Sequence, residues 1–281
     1  MSRMTTLKVG FIGLGDQGGP MAQAIAESGF ELHIWARRPQ SLEAMAGAPH
    51  IVEKTVQTLA ENCDVVCLCL CLTDDKDIVS LLDSGLRYGL KAGAVLVNHG
   101  TGDPRESRRL AAELQQQGIT YLDAPVSGGR LGAQARTLTT MVGGESQAFS
   151  QMRAVFETFS RKVSLLGPSG AGQMAKLLNN ALTMSNLKNA VDVFSLGKSV
   201  GMDLVQLHEV IAVSSGSSTV LRAINNEITL DIAPHLQGLM RKDIEHFADA
   251  ILDAGLNPED VHDRCLAGAD GLVELVGQLA V

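Results

Sequence analysis

A glycine-rich turn near the amino terminus constrains the fold of this chain more than any other feature. The segment GFIGLGDQGGPMA at 10–22 places Gly13, Gly15 and Gly18 in the spacing G-x-G-x-x-G, after the apolar run KVGFIGL at 8–14 and before a helical pattern. In such a strand–turn–helix context this spacing predicts a dinucleotide-binding turn. Gly13 would permit the tight turn, Gly15 would let the backbone approach a pyrophosphate, and Gly18 would let the helix pack closely on the sheet.

The chain up to residue 167 alternates short β-rich apolar runs with helical patterns. This alternation predicts an α/β domain over 1–167, a Rossmann-type doubly wound parallel sheet with helices on both faces. The predicted strands are 8–14, 31–36, 64–71, 94–98, 119–124, 138–143 and 162–166, and the predicted helices lie near 18–28, 39–46, 55–62, 75–84, 103–117 and 146–158.

The strand signal disappears after GPSGAG at 167–172. We therefore expect a second, all-α domain over 168–281, begun by one long helix at 171–199. Gly and Pro residues separate the further helical patterns, which lie near 203–212, 217–228, 236–254 and 258–277.

Composition excludes several functional classes. The net charge is −8 and Lys and Arg form no block, which argues against a nucleic-acid or anionic-membrane surface. No apolar run is long enough to cross a bilayer, and the first residues lack a signal-peptide pattern. The five cysteines do not have the spacing of a disulfide framework, so we expect a reduced, cytoplasmic setting.

Three cysteines alternate within DVVCLCLCL. Alternation places Cys67, Cys69 and Cys71 on one face of a strand, where a free cysteine behaves as a small hydrophobic residue. A zinc site would need a fourth ligand and a tetrahedral arrangement, which a straight strand does not offer. The prediction is core packing and no metal site.

The end of the second predicted strand, IWARRP, favours one form of the cofactor. A carboxylate that binds the 2′-hydroxyl of an NAD ribose would fall near Ala36, where no acid is present. Arg37 and Arg38 follow at once, and guanidinium groups suit a 2′-phosphate. We therefore expect NADP, with NADPH preferred over NADH.

Two further segments carry candidate site residues. In YLDAPVSGGRLGA, a strand turns into Ser127, Gly128 and Gly129, whose free N–H groups could bind a substrate carboxylate or form a plain turn. In GQMAKLLNNAL, Lys176 and Asn180 lie four residues apart, on one face of the long helix. Taken alone, Lys176 could simply extend from the edge of a buried helix into solvent.

Together these segments resemble the β-hydroxyacid dehydrogenase family, which includes 3-hydroxyisobutyrate dehydrogenase, tartronate semialdehyde reductase and the glyoxylate and succinic semialdehyde reductases. The resemblance runs from about residue 8 to the carboxyl terminus, and the first domain is similar to the NADP-binding domain of 6-phosphogluconate dehydrogenase. Five motifs carry the resemblance to the β-hydroxyacid dehydrogenase family, in this order along the chain: GFIGLGDQGGPMA, DAPVSGGRLGA, TLTTMVGG, GAGQMAKLLNN and RKDIEHFADA.

The resemblance implies a role for each matching residue. Lys176 would be the catalytic acid and base, with Asn180 supporting substrate binding, and the turn Ser127-Gly128-Gly129 would bind the substrate carboxylate. The resemblance also completes a cofactor site, with Thr101 near the nicotinamide ribose and Lys242 near the nicotinamide end. The cofactor-binding residues expected overall are Gly13, Leu14, Gly15, Asp16, Gln17, Arg37, Arg38, Leu70, Thr101 and Lys242.

The chain departs from the family pattern at several positions. Gln17 replaces a usual Met, and VNHGTGDP places His99 near the cofactor. His235 falls where an aromatic residue would help line the active site, so we expect it to bind substrate. Arg136 replaces a usual glycine. Gln17, His99 and His235 could each polarise the pocket, which leaves the substrate open.

The resemblance predicts an NADP(H)-dependent oxidoreductase that acts between a short β-hydroxy acid and its semialdehyde or keto acid. An imine reductase of the same fold is an alternative, but such relatives usually lack the lysine at the position of Lys176. A cofactor-binding protein without turnover is a second alternative. The apolar length of the 171–199 helix, together with the resemblance, predicts a homodimer or homotetramer.

Overall fold

The computed structural model describes residues 7–70 and 76–280, without the side chains of 76 and 77. By its internal contacts the chain divides into two units, Met1–Lys176 and Leu177–Val281. Across the described residues, every helix is too short or too polar to span a bilayer. Cys71 of the predicted third strand lies outside the described residues.

A nine-stranded sheet forms the centre of the N-terminal unit. The strand order is β3-β2-β1-β4-β5-β6-β8-β7, with β9 paired to β8. The strands are β1 (Lys8–Ile12), β2 (Glu31–Trp35), β3 (Ile51–Val52), β4 (Val65–Leu68), β5 (Val95–Asn98), β6 (Thr120–Asp123), β7 (Val126–Ser127), β8 (Leu138–Gly143) and β9 (Ser160–Gly167).

Strands β1 to β6 pair in parallel, as the alternation of strands and helices predicts. The sheet is not wholly parallel, because β8 runs antiparallel to both β6 and β7. Parallel neighbours need a crossover of about a dozen residues or more, whereas only the short segment 128–137 joins β7 to β8. The full helix between β8 and β9 makes that pair parallel again. The two-residue strands β3 and β7 are too short for a periodic signal, and the sequence analysis did not predict them.

Helices cover both faces of this sheet and enclose two apolar cores. One core contains Phe11, Met21 and Phe156, and the other contains Leu59, Leu96 and Leu114. A 3-10 segment at Pro39–Met45 and a π-helical turn at Leu82–Leu86 interrupt the regular pattern. The helices are α1 (Gly18–Glu27), α2 (Val56–Asn62), α3 (Lys76–Leu81), α4 (Arg87–Gly89), α5 (Pro104–Gln115), α6 (Gly129–Gln134) and α7 (Ser146–Phe156).

The remaining chain is helical and begins with the long helix α8 (Ala171–Ser199), at the bounds that the sequence predicts. The predicted helix 258–277 is instead two helices that meet at Gly271. A Cβ atom there would lie 2.7 Å from Val191 on α8, so this close approach requires glycine. The other helices are α9 (Leu204–Ala212), α10 (Thr219–Ala223), α11 (Ala233–Asp253), α12 (Glu259–Asp270) and α13 (Leu272–Leu279).

Candidate active site

The glycine-rich turn between β1 and α1 has the geometry of a phosphate-binding loop. Gly13 has φ +101, and a Cβ atom there would lie 2.1 Å from the carbonyl oxygen of Cys69. A Cβ atom at Gly18 would lie 1.9 Å from the carbonyl oxygen of Gly13, so α1 starts in close contact with the turn. Apart from its chain neighbours, no described residue has an atom within 4 Å of the corresponding position at Gly15. Packing therefore requires glycine at Gly13 and Gly18, whereas Gly15 leaves space among the described residues, which is the role expected of the glycine that a pyrophosphate approaches.

The other predicted cofactor residues of the N-terminal unit also follow parallel strands. Arg37 follows β2, Leu70 follows β4, and Thr101 follows β5. Because the carboxyl ends of parallel strands share one edge of a sheet, these residues and the glycine-rich turn lie along that edge. The strand order reverses between β1 and β4, and ligands of open α/β sheets bind at such a switch point.

Within the turn itself the predicted residues differ in exposure. Leu14 is buried in the core, Asp16 is exposed, and Gln17 is the residue that precedes the first turn of α1. The side chain of Leu70 approaches the Gly13 position to 3.2 Å. Leu14 therefore packs into the core and Leu70 packs against Gly13, whereas Asp16 is exposed to solvent.

Arg37 and Arg38 are exposed immediately after β2. Neither makes an ion pair with another residue of the described chain. Ala36, before them, packs partly buried against the core. This end of β2 therefore presents two cations and no carboxylate.

The turn that is expected to bind a carboxylate starts α6. Ser127 ends β7, and two consecutive glycines with positive φ follow, Gly128 at 135° and Gly129 at 65°. A Cβ atom at Gly128 would lie 3.0 Å from the side chain of Leu138. The backbone conformation thus requires glycine, and consecutive N–H groups of such a turn are the kind of donors that bind an anion.

Asp123, which no sequence motif singled out, joins β6 to the first turn of α8. Its carboxylate is fully buried; Oδ1 accepts a 2.7 Å hydrogen bond from the Gly170 N–H and Oδ2 a 2.9 Å bond from the Gln173 N–H. Burial raises the pKa of Asp123 to about 6, and the bonds from backbone N–H groups oppose that rise. The sequence does contain one signal that could have identified Asp123, which is a single acidic residue at the end of an apolar strand.

Gln173 joins the same helical turn to the loop after β5. Its Nε2 donates a 2.7 Å bond to the Gly100 carbonyl, and its Oε1 accepts a 2.9 Å bond from the Gly102 N–H. The fully buried amide thus holds the backbone on both sides of Thr101. Lys176 lies three residues further along α8, with a partly buried side chain.

In the C-terminal unit, Asn180 contacts a residue that the sequence analysis did not single out. Its Nδ2 donates a 2.8 Å bond to Oδ2 of Asp243 on α11. Nζ of the neighbouring Lys242 lies 3.8 Å from Oδ1 of the same carboxylate. His235 is exposed in the first turn of α11, seven residues before Lys242 and so on the same side of the helix.

His99 belongs to the core, which corrects the interpretation of it as a group that polarises the pocket. It is 3% exposed, and its ring stacks on Phe11 and meets the edges of Phe156 and Phe159. Nδ1 bonds to the Ala124 carbonyl at 2.8 Å, and Nε2 has no partner among the described residues. Burial lowers the pKa of His99 to about 4, so the ring is neutral at pH 7.

Arg136, where the family usually has glycine, retains the conformation that glycine favours. Its φ is 57°, in the left-handed region, at the end of α6. Its guanidinium pairs with Glu27 on α1, and both side chains are exposed. The pair joins two surface helices and contacts none of the predicted site residues.

The cysteines that the structure describes lie in or beside the core. Cys67 is fully buried on β4, as predicted, and Cys69 is partly buried just beyond the strand. Over residues 7–70 and 76–280, no three His, Cys, Asp or Glu side chains gather as a metal site.

Comparisons with known proteins identify the family of this chain. The family model described as the NAD binding domain of 6-phosphogluconate dehydrogenase matches residues 8–167. A second family model, described as "NAD-binding of NADP-dependent 3-hydroxyisobutyrate dehydrogenase", matches residues 170–259.

Individual relatives and structures cover most of the chain. It is 32% identical to the NAD-dependent L-serine dehydrogenase of Pseudomonas aeruginosa, over 78% of this chain and 73% of that protein. It is also 32% identical to the 3-hydroxyisobutyrate dehydrogenase of that organism, over 77% and 73% respectively. The solved structure of Psf3 in complex with NADP+ and 2-OPP superposes with a TM-score of 0.79 at 25% identity, covering 97% of this chain and 99% of that one. The chain therefore belongs to the β-hydroxyacid dehydrogenase family, whose members are NAD(P)-dependent oxidoreductases.

Proposed function

We propose that this protein is an NADP(H)-dependent oxidoreductase that interconverts a short β-hydroxy acid and its semialdehyde or keto acid. The observation that carries the proposal is the position of Lys176 on α8. The first turn of that helix is bonded through Asp123 and Gln173 to the sheet edge that bears the glycine-rich turn. A partly buried lysine is thus attached to the cofactor-binding edge, where a proton donor is needed.

The chemistry assigned to the chain is proton transfer and charge stabilisation. A bound nicotinamide cofactor supplies or accepts the hydride. In reduction, negative charge develops on the carbonyl oxygen, and Nζ of Lys176 stabilises this charge and donates the proton. In oxidation, Nζ in its neutral form accepts the proton of the alcohol. Asn180, one turn further along α8, holds the substrate, and its orientation is fixed by its bond to Asp243.

Substrate recognition is assigned to a turn and to a side chain. The N–H groups at Ser127, Gly128 and Gly129 would bind a carboxylate, which favours small acids over neutral alcohols. His235, exposed where relatives usually have an aromatic residue, would bind the rest of the substrate.

The preference for NADP rests on Arg37 and Arg38. Two exposed guanidinium groups at the end of β2, with no acid at Ala36, suit a 2′-phosphate better than a 2′-hydroxyl. The relatives differ in this respect, because the L-serine dehydrogenase is named as NAD-dependent and Psf3 was solved with NADP+. The cofactor therefore has to be assigned from this chain's own residues.

The remaining features of the proposal concern organisation. We assign cofactor binding to residues 1–167 and substrate binding and dimerisation to 168–281, with a homodimer or homotetramer as the working form. A cytoplasmic location is proposed from the cysteine pattern alone.

The experiment that tests the function is a substrate panel followed by nicotinamide absorbance with NADPH, NADP+, NADH and NAD+. The panel contains short β-hydroxy acids, the matching semialdehydes and cyclic imines. Turnover of a hydroxy acid or semialdehyde supports the proposal. Turnover of imines alone would assign an imine reductase, and cofactor binding without any turnover would indicate a non-catalytic protein.

A further inference from the structure

The loop after β5 is bonded on both sides of Thr101 by one side chain of another element. Gln173 lies on the first turn of α8, and its amide bonds to Gly100 on one side of Thr101 and to Gly102 on the other, at 2.7 and 2.9 Å. The amide is fully buried, so water does not replace these bonds when they are lost.

The helical turn that carries Gln173 is itself fixed to the sheet. Asp123 accepts bonds from the N–H groups of Gly170 and Gln173. A Cβ atom at Gly172 would lie 2.5 Å from the Met141 carbonyl oxygen and 2.6 Å from that of Asp123, so the helix start packs directly on β8 and β6. This turn therefore has little freedom to slide along the sheet.

We propose that Gln173 is a positioning residue, which fixes the Thr101 loop relative to the helical turn that leads to Lys176. The inference rests on the proposed function, because Thr101 and Lys176 are assigned there to the cofactor and to proton transfer. The side chains of Thr101 and Lys176 must both be placed accurately, since a displacement of about 1 Å can lower a reaction rate roughly 10²-fold. The side chain of Gln173 acts through these two residues.

The test replaces Gln173 by Met, which keeps the length of the side chain and removes both hydrogen bonds. Gln151→Met on α7 is the matched control, because Gln151 is exposed on a helix of the same unit. Gln173→Glu is the second variant, in case the first does not fold. It keeps an acceptor for the Gly102 N–H and, when ionised, has no donor for the Gly100 carbonyl.

The first readout is amide hydrogen exchange of the protein without cofactor, in peptides that cover 99–103. Loss of a buried bond worth about 1.4 kcal/mol should speed exchange there roughly tenfold. Exchange elsewhere in the unit should change little in Gln173→Met and not at all in Gln151→Met. Unchanged exchange at 99–103, or an equal increase throughout the unit, would overturn the inference.

The second readout separates positioning from folding. With the best substrate of the panel, kcat of Gln173→Met should fall tenfold or more, while the Kd for NADPH, followed by its fluorescence, should rise by a smaller factor. An unchanged kcat together with faster loop exchange would contradict the positioning role. If the wild-type protein turns over nothing in the panel, the proposed function fails, whereas the exchange rates still show whether Gln173 holds the loop.

Discussion

Asn180 and Asp243 join α8 to α11 within the C-terminal unit through a 2.8 Å hydrogen bond from amide Nδ2 to carboxylate Oδ2. Because the ammonium group of Lys242 lies 3.8 Å from the other carboxylate oxygen, Asp243 links two residues that the family resemblance assigns to substrate and cofactor. Through these two contacts Asp243 can control the orientation of both residues.

Replacing Asp243 by Ala should lower kcat/KM roughly 10- to 100-fold, because a bond to a charged acceptor is worth about 1.5–3 kcal/mol. Asp243→Asn keeps an oxygen acceptor for Asn180 and should lose less. Steady-state kinetics on the best substrate, with Tm as the folding control, checks this. Equal activity of the Ala variant and the wild type would remove Asp243 from the site.

Lys176→Ala should lower kcat by roughly 10²-fold or more, as expected for loss of a positioned acid and base, while NADPH binding persists. The matched control is Lys198→Ala, which removes an exposed lysine from the last turn of the same helix. The measurements are kcat and the Kd for NADPH. Near-normal turnover by Lys176→Ala would show that another group transfers the proton.

Replacing Arg37 and Arg38 together by Ala should abolish most of the preference for NADPH over NADH and spare kcat, because the 2′ position lies far from the reacting ring. Two partly exposed charge-assisted bonds could favour NADPH by roughly 10²-fold. The measurement is kcat/KM for both cofactors. The control is Arg161→Ala/Lys162→Ala, which removes the same charge from an exposed part of β9. Equal or better use of NADH by the wild-type protein would refute the assignment.

His99 should make the protein less stable in mild acid. Its pKa is lowered to about 4 in the folded state, against about 6.5 in an unfolded chain. Between these two values the unfolded state binds the proton, so the free energy of unfolding falls as the pH drops through this range. The contribution of this group is about 3 kcal/mol at its full extent.

The check is denaturant unfolding of the wild type and His99→Met between pH 7 and pH 4. Asp123 acts in the opposite sense, because its raised pKa favours the protonated folded state as the pH falls toward 4. That effect is common to both proteins, so their difference isolates His99. We expect a shallower loss of stability in His99→Met, and identical slopes would contradict the prediction.

An apolar stripe on α8 should form a subunit interface. Because an α-helix has 3.6 residues per turn, the residues of this stripe lie on one side of the helix, roughly half a turn away from Lys176 and Asn180. The double variant with Leu182→Glu and Leu196→Glu should be a monomer by light scattering at micromolar concentration, whereas the wild type should be a dimer or larger. A monomeric wild type would refute this. The stripe consists of Leu178 (49% exposed), Leu182 (64%), Val193 (48%) and Leu196 (67%), and Val200 (76%) continues it just past the end of the helix.

Local patterns determined much of the fold. The bounds of α8 and the positions of β1, β2, β4, β5 and β6 follow from short-range apolar periodicity and glycine placement, which are properties of neighbouring residues. The glycine-rich turn is predictable for the same reason, because the need for glycine at Gly13 and Gly18 arises from contacts close to the turn. The family was also identifiable, since its motifs lie in order along the chain.

Only the tertiary structure decided which polar residues act together. Asp123 and Gln173 are 50 residues apart, and Asn180 and Asp243 are 63 residues apart, so no local pattern pairs them. The segment VNHGTGDP, which departs from the family pattern, predicts His99 near the cofactor, but its contacts with three phenylalanine rings place it in the core. Sequence thus determined the local conformation and the residue types available, whereas burial and partners depended on contacts between distant segments that form only when the chain folds.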